Sequence, residues 1–297
     1  MKIGVMLPVG GNDGPTGGMP TWADVKAMAV AADEAGLDSV WLADHYFYKA
    51  PDETVYGMHE SWTLLSAVAA VTSRVELGNM VLCSSFRDPG LTAKMAATLD
   101  LVSDGRLILG VGAGWHDPEY EAFGLPTDHR VARFEEWLEI VARLLRHETV
   151  TFDGTYHRVQ DLALQPPPAR QIPLLVAARR PRMLDLTAKW ADQWNTAWFG
   201  QVDDTVRSRL DDMRSAIAKT DRPTDSVELT VGITVTDPDQ PSVTEPEATT
   251  LNGTVEELAQ SFKEYESLGV THLIAATEPM TTRSTHRLAE AKNLAFG

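Results

Sequence analysis

A single cysteine, Cys83, stands in 297 residues. That excludes an intrachain disulfide and any zinc site built on several thiolates. Neither H-x-H nor H-E-x-x-H occurs, so the usual metal-hydrolase signatures are missing too. No apolar run approaches the ~20 residues needed to cross a bilayer. The opening MKIGVMLP is too short an apolar run for a signal peptide and lacks a cleavage pattern. Basic residues are also scarce, with 26 Lys and Arg against 42 Asp and Glu and a net charge of −16. This argues against nucleic acid or an anionic membrane as partner, since both need basic patches. Together these absences predict a cytoplasmic protein whose partner is a small molecule; an anionic one stays open where basic side chains gather locally.

What the chain does have is apolar material, 43% of its residues, enough for a sizeable core. The length allows two small domains or one α/β barrel. Strand-like runs fall at 3–9, 39–43, 75–83, 106–111, 173–177, 193–196, 227–235 and 271–276. Helical patterns separate them at 21–35, 61–72, 89–102, 130–146, 181–191, 203–219 and 254–268, with a last one at 283–295. In the third helix Leu91, Met95, Leu99 and Val102 recur at spacings of three and four, which predicts one apolar stripe. Thr254 and Glu257 have the spacing of a capping box. Eight strands each followed by a helix predict a closed (β/α)8 barrel over 1–297, with a doubly wound sheet as the alternative. Insertions are expected after strands 2, 4 and 7. A long aromatic loop spans 44–60, a hairpin turning at Asp153-Gly154 spans 149–164, and an acidic, Pro-rich and mobile stretch spans 236–250.

The most informative run is 99–116, LDLVSDGRLILGVGAGWH. It reads as a helix end, a tight Asp-Gly turn, a buried strand and a glycine-opened loop. Gly110, Gly112 and Gly114 permit close backbone approach, and a strand ending this way is where α/β proteins place ligands. The G-x-G-x-G spacing is not the G-x-G-x-x-G of a dinucleotide site.

This run resembles the luciferase-like monooxygenase superfamily, and more closely its coenzyme F420-dependent oxidoreductase branch. GLDSVWLADH at 36–45, TSRVELG at 72–78, WHDPEYEAFG at 115–124, FDGTY at 152–156, IPLLVA at 172–177 and NGTVEEL at 252–258 agree in order and spacing. The resemblance implies a TIM-like barrel holding the tricyclic ring of F420, or of FMN as the alternative, at the C-terminal ends of its strands. It implies a bulge with a non-proline cis peptide near Met80-Val81, supporting the ring from behind. His45 is then the catalytic histidine facing the ring, an imidazole able to hydrogen-bond or move a proton at neutral pH. Its structural alternative is a histidine paired with a carboxylate.

By the same resemblance Gly112 and Ala113 admit the ring and Trp115 walls the pocket; tight strand packing and one more core tryptophan are the alternative. Ala177, Ala178, Arg179, Arg180 and Arg182 receive the cofactor phosphate at a helix start, or form a solvated basic surface. Arg87 reads equally as part of a similar anion site or as a surface ion pair. Phe47, Tyr48, Met58 and His116 are candidate substrate contacts; Trp41, Trp62 and Trp198 read more readily as core. Some sugar-phosphate-oxidising members carry a glutamate where this chain has Trp115, which points away from that substrate.

The expected function is hydride transfer between F420 and a small organic substrate. An FMN-dependent monooxygenase served by a separate reductase is the alternative. Behind these stand a metal-dependent barrel hydrolase using Asp44, His45, His116 and Glu119, and a non-catalytic cofactor-binding barrel. The oligomeric state is left open by the sequence; relatives are often dimers through their early helices, so the resemblance allows a homodimer.

Overall fold

Strand follows helix until the sheet closes on itself. The computed structural model describes residues 1–15, 17–240 and 250–297. In chain order they form β1 (Lys2–Met6), α1 (Trp22–Ala35), β2 (Ser39–Leu42), β3 (Phe47–Lys49), β4 (Val55–Gly57), α2 (Ser61–Val71), β5 (Glu76–Asn79) and β6 (Leu82–Cys83). Then come α3 (Pro89–Val102), β7 (Leu107–Gly112), α4 (Asp117–Ala122), α5 (Arg130–Leu145), β8 (Val150–Asp153), β9 (Arg158–Leu162), β10 (Leu174–Ala177) and α6 (Pro181–Trp190). The chain finishes with β11 (Gln193–Phe199), α7 (Asp204–Ile217), β12 (Glu228–Thr236), β13 (Leu251–Asn252), α8 (Val255–Ser267), β14 (His272–Glu278) and α9 (Thr282–Phe296).

Strands β1, β2, β5, β7, β10, β11, β12 and β14 pair side by side in that order, and β14 returns to β1 with His272 opposite Lys2. Every one of these pairings is parallel. This is a closed (β/α)8 barrel. Both faces of such a sheet are covered, so its strands read as continuous apolar runs rather than alternating ones.

Alternation along each strand sorts the core into two bodies. Val5, Val40, Leu77, Leu109, Val176 and Leu273 point outward into the helical shell. Met6, Trp41, Met80, Ile108, Leu175 and Ile274 fill the barrel itself as a separate cluster. Beneath that cluster lies a polar layer. Trp41 Nε1 donates to Ser39 Oγ (2.7 Å), which in turn meets His272 Nε2 at 2.8 Å.

Several expectations need correction. The run 75–83 is not one strand: β5 stops at Asn79, the Met80-Val81 peptide is cis, and β6 resumes opposite Val111. The break is the expected bulge. The first strand ends at Met6 rather than residue 9, and the sixth runs on to Phe199 through a register shift and a second non-proline cis peptide, Ala197-Trp198. The α3 stripe is wrong. Leu91 and Val102 are each 55% exposed, while the buried face is Thr92, Ala93, Ala96, Ala97, Leu99 and Asp100. Small side chains let this helix lie close to its neighbours, so burial does not follow its largest apolar residues.

The aromatic loop contains the antiparallel hairpin β3–β4. In the second hairpin, β8–β9, Asp153 pairs with Arg158 inside the ladder, so the turn lies one residue later than expected. Glu136 of α5 closes it by accepting the amides of Thr155, Tyr156 and His157 at 2.8–2.9 Å. Of the acidic, Pro-rich stretch, residues 241–249 lie outside the described residues.

Candidate active site

Barrel strands lift their last inward-facing residues above the Trp41 layer, and in this chain those residues are small. Ala43, Val81 and Ala276 pack on the inner cluster and stay partly open; Ala177 at the end of β10 is partly open too, while the partly open Ala113 packs against the outer shell. The mouth therefore has a floor of alanines and one valine where an ordinary barrel end would be filled. A flat apolar ligand fits such a floor.

His45 lies at its edge. The alternation that turns Trp41 and Ala43 inward carries on to His45 just past the end of β2. Its Nδ1 is hydrogen-bonded to Glu119 Oε2 at 2.8 Å. Glu119 is only 1% exposed, while the His45 side chain remains 21% exposed. The other carboxylate oxygen, Oε1, accepts the backbone amides of Tyr46 (2.5 Å) and Phe47 (3.3 Å). The carboxylate is thus met by two backbone N–H donors and the imidazole, as burial of a carboxylate demands. His45 Nε2 has no hydrogen-bond partner among the described residues.

Asp44 beside it faces the other way and is engaged in structure. Arg87 grips it with two N–H groups (2.8 and 3.0 Å), Ser61 Oγ donates at 2.6 Å, and the Cys83 amide at 2.8 Å. Arg87 also pairs with Glu60, and these two carboxylates push its guanidinium pKa up. Arg87 is therefore part of a buried network tying the ends of β2 and β6 to α2, not a surface ion pair or an anion site. Among the described residues no three His, Cys, Asp or Glu side chains gather as they would around a metal ion.

The glycines after β7 answer to the protein's own packing. A Cβ on Gly110 would lie 2.0 Å from the Asn79 carbonyl oxygen, and one on Gly112 2.7 Å from Val81 Cγ2. Both accommodate the bulge in the third strand. Gly114 has φ +75°, and its Cβ would lie 2.0 Å from the Tyr120 hydroxyl and 2.5 Å from Cys83 Sγ. Tyr120 donates to the Ala113 carbonyl (3.0 Å) and touches Cys83 Sγ at 3.3 Å, while burial pushes the Cys83 thiol up to about 11. So Gly112 does not itself clear room for a ligand; Val81, held in front of it, forms that part of the floor.

Trp115 is 60% exposed and stands edge-on to His45, with ring centroids 5.6 Å apart. It is a rim residue, not a core tryptophan. Tyr48 lies near both Trp115 and His116. His116, expected to touch substrate, is instead buried, and its Nε2 accepts the Lys49 amide at 3.0 Å. Burial lowers its pKa, with His45 adding to the effect against Glu119. It anchors the β3–β4 hairpin to the loop after β7. At the other side the hairpin bridges Met58 to Gly10 after β1. Phe47, Tyr48 and Met58 are partly open along this wall; Trp41 and Trp62 are core, and Trp198 is exposed.

At the start of α6, Arg179 and Arg180 are exposed and have no ion-pair partner among the described residues. Arg180 is the N-cap residue and makes no side-chain cap bond, and Pro181 opens the helix. The first-turn amides are thus available to an anion. Arg182 is bound to Glu135 at 2.5 Å, and the Ala178 side chain packs in the helical shell while its carbonyl accepts Trp194 Nε1. Of the expected phosphate loop, Ala177 borders the mouth and the two free arginines carry the charge.

The barrel mouth thus brings together an apolar floor, one histidine on a buried carboxylate and a basic helix start. The chain belongs to the luciferase-like monooxygenase family, whose model matches residues 1–245. It is 36% identical over 174 residues to the F420-dependent glucose-6-phosphate dehydrogenase of Amycolatopsis mediterranei, covering 57% of this chain and 50% of that one. To the enzyme of the same name from Kineococcus radiotolerans it is 32% identical over 220 residues, 72% of this chain and 64% of that one. The Pyrimidine monooxygenase RutA of Methylobacterium radiotolerans is 34% identical over 206 residues, 65% and 53% respectively. The chain thus spans between half and just under two thirds of these relatives' lengths. Its fold also matches a solved F420-dependent secondary alcohol dehydrogenase, with TM-score 0.83, 18% identity and 100% and 99% coverage. Among the described residues no helix is long and apolar enough to cross a membrane.

The residue missed by sequence reasoning is Glu119, offered there only as a metal ligand. No local spacing signals its partner, since His45 lies 74 residues away.

Proposed function

We propose that this chain is an oxidoreductase that binds coenzyme F420 in the barrel mouth and transfers a hydride between it and a small organic substrate. The observation that carries the reading is an open alanine floor bordered by a histidine fixed on a buried carboxylate. The relatives named F420-dependent glucose-6-phosphate dehydrogenase support the choice of cofactor.

Met80 lies beneath the floor, and Val81, Ala113 and Ala177 would touch the ring of the cofactor. Arg179, Arg180 and the first amides of α6 would hold its phosphate. Once bound, the cofactor supplies a two-electron hydride acceptor or donor. The protein supplies the rest. His45 Nε2 holds the proton that leaves or joins the substrate as the hydride moves. Trp115, Tyr48, Phe47 and Met58 border the substrate and keep water out, strengthening the polar interactions inside. Trp115 brings no carboxylate to the rim, which favours a smaller, less polar substrate than a sugar phosphate. The protein is cytoplasmic in this reading, one barrel domain acting on a small molecule, and a homodimer is the proposed assembly.

Fluorescence titration of purified protein with F420 and with FMN tests the cofactor. F420 is expected to bind, and R179A/R180A to weaken it at least tenfold, or about 1.4 kcal/mol. Tight FMN binding with no measurable F420 binding overturns the reading. It would favour the second one, an FMN-dependent monooxygenase served by a separate reductase, which the likeness to Pyrimidine monooxygenase RutA supports.

A further inference from the structure

On the reading of His45 as the group that handles the proton, we infer that Glu119 is its positioning residue: it fixes the tautomer that leaves Nε2 bare. Glu119 sits 74 positions from His45 in sequence, on α4, and is almost fully buried. Its carboxylate has acceptors only. Oε1 takes the Tyr46 and Phe47 amides, and Oε2 takes His45 Nδ1. A ring nitrogen facing a carboxylate oxygen at 2.8 Å must carry the hydrogen, so in neutral His45 the proton is on Nδ1. Nε2 is then the basic nitrogen, and it is the one with no protein partner among the described residues.

When Nε2 takes a proton from substrate, the ring becomes an imidazolium. Its Nδ1–H bond to the Glu119 carboxylate, charge-assisted already, then becomes an ion pair as well. Nothing else shifts hydrogen: Nδ1 keeps its own, and Nε2 returns the new one to solvent or, in the reverse direction, to substrate. The same carboxylate holds the two amides that start the β3–β4 hairpin. Imidazole and hairpin wall are therefore set by one buried group. His116, the neighbouring imidazole, is not an alternative proton carrier, because its Nε2 already accepts the Lys49 amide.

Glutamine at 119 should reverse the tautomer. Two backbone N–H donors face Oε1, so the amide oxygen must turn toward them and the NH2 toward His45. Nδ1 must then accept, which moves the ring proton to Nε2 and removes the free base from the mouth. The test is a long-range 1H–15N correlation spectrum of the full chain labelled at histidine nitrogens, with the His45 signals assigned by their loss in H45Q. The wild type is expected to show protonated Nδ1 and bare Nε2, and E119Q the opposite pattern. A wild type with the proton on Nε2 overturns the assignment without any variant, even if E119Q fails to fold. Retention of the wild-type pattern in folded E119Q overturns it too. F420 titration of the same samples keeps the two ideas apart. A protein that shows the tautomer switch but binds no F420 supports the role of Glu119 and overturns the cofactor reading.

Discussion

His272 makes the folded barrel acid-sensitive by an amount the structure sets. The ring is wholly buried in the polar layer beneath Trp41. Its Nε2 meets Ser39 Oγ, which already accepts Trp41 Nε1, and its Nδ1 has no partner among the described residues. An imidazolium there would need an acceptor for each N–H, and the structure offers none for Nδ1. Burial first, then repulsion from Lys2 and Lys292, pushes the pKa from 6.5 down to about 3. Below pH 6.5 the unfolded chain binds a proton that the folded chain refuses, so stability falls as the solution is acidified and the effect levels off near pH 3. Each pH unit is worth about 1.4 kcal/mol, so this one group removes about 2 kcal/mol by pH 5 and about 5 kcal/mol in all. Carboxylates titrate over part of the same range, and comparison with His272→Gln cancels them. Urea unfolding at pH 7.5 and pH 5 is expected to show the stability gap between wild type and H272Q shifting by about 2 kcal/mol in favour of the variant at the lower pH. A gap unchanged between the two pH values would refute a buried neutral His272.

Two further variants probe the frame around the site. Arg87→Met leaves buried Asp44 with only Ser61 and the Cys83 amide, and unfolding should show a loss of about 3–5 kcal/mol; a loss below about 1 kcal/mol would mean that the pair holds nothing. Gly114→Ala drives a Cβ into the Tyr120 hydroxyl at a left-handed backbone position, whereas Gly124, also left-handed, has open space around it. Gly124→Ala should cost about 1–2 kcal/mol from backbone conformation alone, and G114A clearly more in the same thermal melts; equal losses would show that Tyr120 simply gives way.

The order of elements was legible because strand-sized apolar runs and helical patterns alternate along the whole chain. Parallel barrel strands bury both faces, so each appears as an unbroken run. The α3 face was not legible, because alanines and a threonine carry the contact while Leu91 faces solvent. His45, Arg179 and Arg180 could be singled out by position, since the C-terminal ends of barrel strands are where sites form. Glu119 could not be matched to His45, because no local spacing joins β2 to α4. The glycines at 110, 112 and 114 signalled close approach without saying to what, and the answer was the chain's own third strand and Tyr120.

By itself, then, the sequence determined the barrel, the order of its elements and the family, because periodicity, turns and local motifs are short-range properties of the chain. Only the tertiary structure decided which nitrogen of His45 meets Glu119, which arginines have no ion-pair partner among the described residues and which glycine serves a neighbour. Those depend on groups tens of residues apart meeting in a low-dielectric interior, where each buried donor or charge must find its partner.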